Sequence, residues 1–181
     1  GGYDRVFEWA SASDVHLAGD LDGDGVDEAV AVRGGTWFVR GGGSFDFGAA
    51  GDQLLLGDWD GDGVDTAGYV RGGEVHLRDD RGGETRFRYG GAGDRHVAGD
   101  WDGDGVDTIG VVRGNMVLLR NANASGPADV SYAFGSASDL HVFGDWDGDG
   151  VDTVGVLRGV TWHLRDAPGG GAATRTFDYD G

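Results

Sequence analysis

The stretch Gly57-Asp58-Trp59-Asp60-Gly61-Asp62-Gly63-Val64-Asp65-Thr66, GDWDGDGVDT, decides how this chain is read. It returns unchanged from Gly99 to Thr108 and from Gly144 to Thr153, and as GDLDGDGVDE from Gly19 to Glu28. Each copy crowds four carboxylates into eight residues. Charges that close repel one another and raise the cost of ionisation unless a cation lies among them.

Working outward from these loops, the chain resolves into repeats. The motifs begin at Asp20, Asp58, Asp100 and Asp145, at intervals of 38, 42 and 45 residues. Each motif Asp is followed 20 residues later by an arginine: Arg40, Arg78, Arg120 or Arg165. Each is preceded 13 residues earlier by an aromatic: Phe7, Phe45, Phe87 or Tyr132. Only the segment from arginine to aromatic changes length, spanning 5, 9 and 12 residues, and both prolines of the chain, Pro127 and Pro168, lie in this class of loop. One loop per unit is free to vary while the rest is fixed architecture, the mark of a repeat fold.

Each unit reads as four short strands. DVHLAGD and DRHVAGD lead into the acidic loop, and EAVAVR, TAGYVR, TIGVVR and TVGVLR follow it, rich in β-branched and small residues. Turns at Gly34-Gly35, Gly72-Gly73, Gly114-Asn115 and Gly159-Val160 suit two-residue hairpins needing positive φ, the last fitting less well. TWFVR, EVHLR, MVLLR and TWHLR come next, then an outer strand such as FDF, RFRY, SYAF or TFDY. No segment keeps helical spacing over three turns. The expected fold class is all-β: a β-propeller of four-stranded antiparallel blades. It forms a single repeat domain over 1–181, with units at 14–47, 52–89, 94–134 and 139–179. An additional outer-type strand over 5–9 has no unit of its own, so a four-bladed ring and four blades of a larger propeller both remain open.

The loop chemistry points to a hard divalent cation. Ligands at positions 1, 3 and 5 converge when the backbone curls, a glycine at position 6 permits the turn, and the carbonyl of position 7 can add an oxygen. The candidate ligands are Asp20, Asp22, Asp24, Val26 (carbonyl) and Asp27; Asp58, Asp60, Asp62, Val64 and Asp65; Asp100, Asp102, Asp104, Val106 and Asp107; and Asp145, Asp147, Asp149, Val151 and Asp152. An all-oxygen set selects Ca²⁺ over transition metals, and Mg²⁺ suits it less well because it holds its waters. About four Ca²⁺ ions are expected, one per repeat. A helix-flanked EF-hand is excluded, because its position-12 glutamate would fall on Ala31, Tyr69, Val111 and Val156.

In these residues the chain resembles the FG-GAP/VCBS-type repeats of bacterial extracellular proteins and of the integrin α-chain propeller. Their loop reads roughly D-x-[DN]-x-D-G-x-x-D between the first two strands of a blade. The resemblance covers all four units and implies Ca²⁺ in the loop and a secreted or cell-surface location. One feature departs from it: the family's last Asp stands at position 9. Here Asp27, Asp65, Asp107 and Asp152 stand at position 8, and position 9 holds Glu28, Thr66, Thr108 and Thr153. Either position 8 reaches the ion through a tightened loop, the favoured reading, or position 9 coordinates instead.

Other recurring residues have structural readings beside functional ones. Trp59, Trp101 and Trp146, with Leu21 in the first unit, suit packing between blades better than sugar stacking. His16, His96 and His141 share one inner-strand position with Leu54, which speaks against a ring of ligands. Arg33, Arg71, Arg113 and Arg158 recur with Asp14, Asp52, Asp94 and Asp139 as expected ion pairs.

Composition narrows function. With 32 acidic against 14 basic residues the formal charge is −18, which repels nucleic acid and anionic membranes, and there is no apolar run long enough to insert in a membrane. The absence of cysteine excludes disulfides and thiolate metal sites. No unit breaks the repeat symmetry with an unmatched catalytic pair, so a non-enzymatic role is expected. The expected function is an extracellular calcium-binding module for adhesion or recognition of a cell-surface glycan or protein partner. The alternative is a passive spacer or accessory domain of a larger surface protein or secreted polysaccharide-degrading enzyme.

Overall fold

The computed structural model describes residues 10–179; the strand expected over 5–9 lies outside them. Sixteen strands and no helix make up the described residues. The first blade holds β1 (Val15–Gly19), β2 (Glu28–Arg33), β3 (Thr36–Val39) and β4 (Ser44–Asp46). The second holds β5 (Gln53–Gly57), β6 (Thr66–Arg71), β7 (Glu74–Arg78) and β8 (Glu84–Arg88). The third holds β9 (Arg95–Gly99), β10 (Thr108–Arg113), β11 (Met116–Leu119) and β12 (Val130–Ala133), and the fourth β13 (Leu140–Gly144), β14 (Thr153–Arg158), β15 (Thr161–Leu164) and β16 (Arg175–Asp178). Every sheet is an antiparallel meander in chain order. The four sheets are arranged as a four-bladed β-propeller, with β1, β5, β9 and β13 as successive inner strands. The expected fold class is therefore observed.

The turns explain the glycine pattern. Gly34 and Gly35 both have positive φ (62° and 97°), as do Gly72 and Gly73 (60° and 82°), the sign pattern of a type I′ hairpin. In the third and fourth blades only Gly114 (64°) and Gly159 (63°) are positive. That is the pattern of type II′, which needs glycine only at the first position. Val160 therefore fits after all, as Asn115 does.

Packing occurs between blades. Each of the three buried apolar clusters joins two consecutive blades: Val30, Val32 and Trp37 with Ala67; Leu55, Val75 and Phe87 with Ile109; Val97, Trp101 and Val117 with Val154. A single blade buries little alone, so stacking supplies the core.

The tryptophans bind to their own blades first. A Cβ at Gly57 would lie 2.9 Å from the Trp59 ring, and one at Gly99 2.8 Å from the Trp101 ring. Trp59 and Trp146 each donate their ring N–H to the carbonyl of Thr66 or Thr153, at 3.1 Å. Gly68, Gly110 and Gly155 also lie beneath these rings. In the first blade Leu21 replaces the tryptophan, and Val30 stands where the others have that glycine. The lost ring volume is refilled from the strand below, a volume-conserving swap of the sort cores tolerate. Trp101 is buried against Phe143 of the next blade (ring centroids 5.4 Å), which leaves it no open face for a sugar.

Candidate metal centre

The acidic loops lie between the first and second strands of each blade. The first aspartate organises the curl. In the second loop Asp58 Oδ1 accepts from the backbone N–H of Gly61 (2.7 Å) and Asp62 (3.1 Å), and Oδ2 from that of Gly63 (2.8 Å). The Val64 N–H donates to Asp62 Oδ1 at 3.0 Å. Asp20, Asp100 and Asp145 accept the same three bonds in their loops. Gly61 (φ 76°) and Gly63 (φ 85°) take the left-handed conformation this requires.

This curl gathers the carboxylates. Asp58, Asp60 and Asp62 each bring an oxygen within 4.8 Å of the other two; so do Asp100, Asp102 and Asp104, and Asp145, Asp147 and Asp149. In the first loop the converging set is Asp20, Asp22 and Glu28, with Asp24 outside it. Each of the four groups could hold a metal ion. A carboxylate oxygen has two lone-pair directions, and Oδ2 of the first aspartate accepts one amide bond, so it keeps coordinating capacity. The donor set is wholly carboxylate oxygen, which fits a hard cation.

The electrostatics mark the same point. Asp60, Asp102 and Asp147 are raised above the usual carboxylate range, by desolvation first and then by the neighbouring aspartates of the loop. Asp145 is lowered, mainly by the amides of Gly150 and Gly148 that solvate its charge. One carboxylate per loop is thus held by the backbone, and in the last three loops the third-position carboxylate carries the repulsion.

Position 8 has a different place. Asp65, Asp107 and Asp152 do not join the converging group of their own loop. Each reaches back to the preceding blade. Asp65 Oδ2 accepts the Asp20 N–H (3.0 Å) while the Asp65 N–H donates to the Asp20 carbonyl (2.7 Å). Asp107 and Asp58 make the same exchange (3.0 and 2.7 Å), as do Asp152 and Asp100 (3.2 and 2.6 Å). Burial raises all three carboxyls, Asp107 to about 7, against the lowering effect of the amide each one meets. Position 8 is therefore a clasp between consecutive loops. Asp27 in the first loop is exposed. The position-7 side chains accompany the clasp: a Cβ at Gly23, Gly61 or Gly103 would meet Val64, Val106 or Val151 of the following loop at 3.1 Å.

Position 9 divides. Thr66 and Thr153 donate their hydroxyls to the carbonyls of Arg78 and Arg165 at 2.6 Å, which commits them to the sheet. Glu28 alone joins its acidic group, and it also accepts the Leu21 N–H at 3.1 Å.

The opposite end of each hairpin holds the expected ion pairs, all within a blade. Arg33, Arg71, Arg113 and Arg158 each fork onto Asp14, Asp52, Asp94 and Asp139 through Nε and Nη2, at 2.6–2.9 Å. The histidines link blades: His96 Nε2 lies 2.8 Å from the Tyr89 carbonyl, and His141 Nε2 lies 3.0 Å from that of Phe134. Among the described residues no candidate metal group includes a histidine. Asn123, in a variable loop, donates to the Asp107 carbonyl at 2.8 Å.

The chain matches no protein-family model and no curated protein, so the likeness to calcium-loop repeats is carried by the loops themselves.

Proposed function

We propose that this chain is an extracellular, non-catalytic β-propeller module whose acidic loops bind Ca²⁺, one ion per blade, and whose variable loops recognise a cell-surface glycan or a protein partner. The observation that carries the calcium reading is the fourfold recurrence of three converging carboxylate oxygens at one place in the fold, with no arginine or lysine in any loop. The flexible oxygen cage suits Ca²⁺ better than Mg²⁺. Positions 1, 3 and 5 serve as ligands in the last three loops, and Asp20, Asp22 and Glu28 in the first. Sites of this class in extracellular modules bind at about 10⁻⁴–10⁻³ M, an affinity suited to work outside the cell, where calcium is abundant.

Recognition is assigned to the loops after Arg40, Arg78, Arg120 and Arg165, because they alone change length between repeats. Calorimetric titration of the metal-free chain is expected to show about four Ca²⁺ per chain and far weaker Mg²⁺ binding; no heat with Ca²⁺ refutes the metal reading. Retention of a glycan or surface protein by the immobilised chain in calcium, lost when the variable loops are shortened to the five-residue length, supports the recognition role. Retention of nothing leaves a spacer.

A further inference from the structure

Three blade junctions in this molecule are built alike, and among the described residues the two surfaces that compose them also occur uncovered, one on the first blade and one on the fourth. At each built junction the later blade supplies a position-8 carboxylate and a position-7 valine. The earlier blade supplies an amide N–H, an open position-4 glycine and an apolar sheet face with two outer aromatics. Among the described residues no such exchange joins Asp27 to Asp145.

The unpaired halves can be compared with their paired equivalents. On the first blade Val26 is 62% exposed, whereas Val64, Val106 and Val151 are half-buried. On the fourth blade a Cβ at Gly148 would meet nothing within 4 Å, where Gly23, Gly61 and Gly103 each meet a valine. A Cβ at Gly144 would meet only Trp146, where Gly19, Gly57 and Gly99 each face a clasp carboxylate. Phe177 and Tyr179 are 48% and 70% exposed, against 7% and 4% for Tyr132 and Phe134 at the same two positions of the third blade.

We propose that the fourth blade docks the first blade of a second copy of this chain, so that copies associate head to tail. The occupant follows from continuity with the interface already present three times: the first blade carries the surface that fits the fourth, down to the valine, the carboxylate and the glycine that receives it. In the docked pair Asp27 would exchange hydrogen bonds with the Asp145 backbone as Asp152 does with Asp100, and Val26 would cover Gly148. The apolar face formed by Trp162, Phe177 and Tyr179 would then be removed from water, which supplies the driving force. Such a contact is heterologous, with different surfaces on the two copies, and it leaves one free end of each kind until a ring closes.

Sedimentation velocity on the chain in calcium and physiological salt, over a wide concentration range, tests this. The weight-average mass should rise with concentration beyond that of one chain; a strictly monomeric chain at every concentration overturns the proposal. Two variants assign the surfaces. Val26→Glu sets a new carboxylate against the fourth loop of the partner, and the double variant Phe177→Arg with Tyr179→Arg spoils the opposite face at exposed positions. Each alone should remain monomeric with an unchanged far-ultraviolet circular dichroism spectrum. Mixed in equal amounts they should form a one-to-one dimer, because each retains the surface that the other lacks. A misfolded Val26→Glu is replaced by Val26→Asp under the same test. Monomeric variants that fail to pair when mixed, or variants that still self-associate as the parent does, refute the head-to-tail arrangement.

Discussion

Each hairpin of inner strand and second strand carries aspartates at both ends, and the two ends treat them oppositely. At one end a single buried aspartate is answered inside the protein: Asp94 lies beneath the Arg113 fork and also accepts the Gly91 N–H at 2.8 Å. The Arg113 guanidinium, through that hydrogen bond, holds Asp94 below the usual carboxylate range. At the other end three carboxylates converge, and the loop sequence that carries them holds no arginine or lysine. In the proposed calcium reading their charge is answered from outside. One end is a self-contained brace, and the other, on that reading, is a socket whose stability depends on the solution.

The largest effect expected from this contrast is on removal of the ion. With calcium at ten times the dissociation constant, each site adds about 1.4 kcal/mol through preferential binding to the folded chain, and four sites add about 5–6 kcal/mol. For a chain of this size that corresponds to a fall in Tm on the order of 10–20 °C when a chelator is added. Differential scanning calorimetry with calcium, then with chelator, measures it. An unchanged midpoint would make the two ends equivalent and remove the contrast.

A smaller loss is expected at the brace, and it should not depend on calcium. Asp94→Ala removes both arginine bonds and the acceptor for the Gly91 amide. Bonds to charged groups are worth about 1.5–3 kcal/mol net, and the freed arginine is solvated, so a loss of about 2 kcal/mol is expected. Urea denaturation in calcium and in chelator should give the same difference. A loss that appeared only in calcium would mean that the two ends are coupled.

Acid titration separates the ends by sign. Hydrogen bonding to Arg33 lowers Asp14 to about 2, and Arg158 holds Asp139 lower still. A carboxyl depressed by folding contributes stability that is complete above its unfolded value and is lost as pH falls toward its folded value. Melting of the calcium-free chain should therefore show a decline between about pH 4 and pH 2 from these pairs. In Arg33→Ala with Arg158→Ala that decline should shrink. A decline of the same depth in the double variant would place the acid sensitivity elsewhere.

Much of this was legible from spacing alone. Constant offsets from each motif Asp marked the blades, and alternation in short runs marked their strands. The Asp–Arg pairs were visible as recurrent columns, but whether they joined blades or stayed within one depended on register. Val15 opposite Val32 brings Asp14 beside Arg33 in the same hairpin. Position 8 was legible as a repeated carboxylate and misleading as to its target. Its clasp joins residues 45, 49 and 52 apart across two blades, which no local turn rule anticipates. The replacement of Gly68, Gly110 and Gly155 by Val30 stood in the sequence as a column beside Leu21. Reading those two columns together would have placed the tryptophan over that strand. The histidine bonds to Tyr89 and Phe134 had no comparable sign, because their acceptors are main-chain carbonyls.

The smallest expected effect is also the one that distinguishes the ends most sharply, since its direction should reverse. Asp60 is exposed, and its carboxyl is raised by desolvation and by Asp62 and Asp58. Asp60→Asn keeps the shape and the oxygen but removes one charge from the socket. Without calcium, the variant should melt slightly higher than the parent, by roughly a degree, because like-charge repulsion at a surface site is worth only a few tenths of a kcal/mol. With calcium it should melt lower, since a neutral amide oxygen binds a divalent ion more weakly than a carboxylate does. The crossing of the two melting curves on addition of calcium is the signature of a charge answered from solution. Asp94→Asn, at the braced end, should be destabilised in both conditions. If Asp60→Asn lowered the midpoint equally with and without calcium, the loop carboxylate would be bracing the fold directly, and the socket would be only a turn.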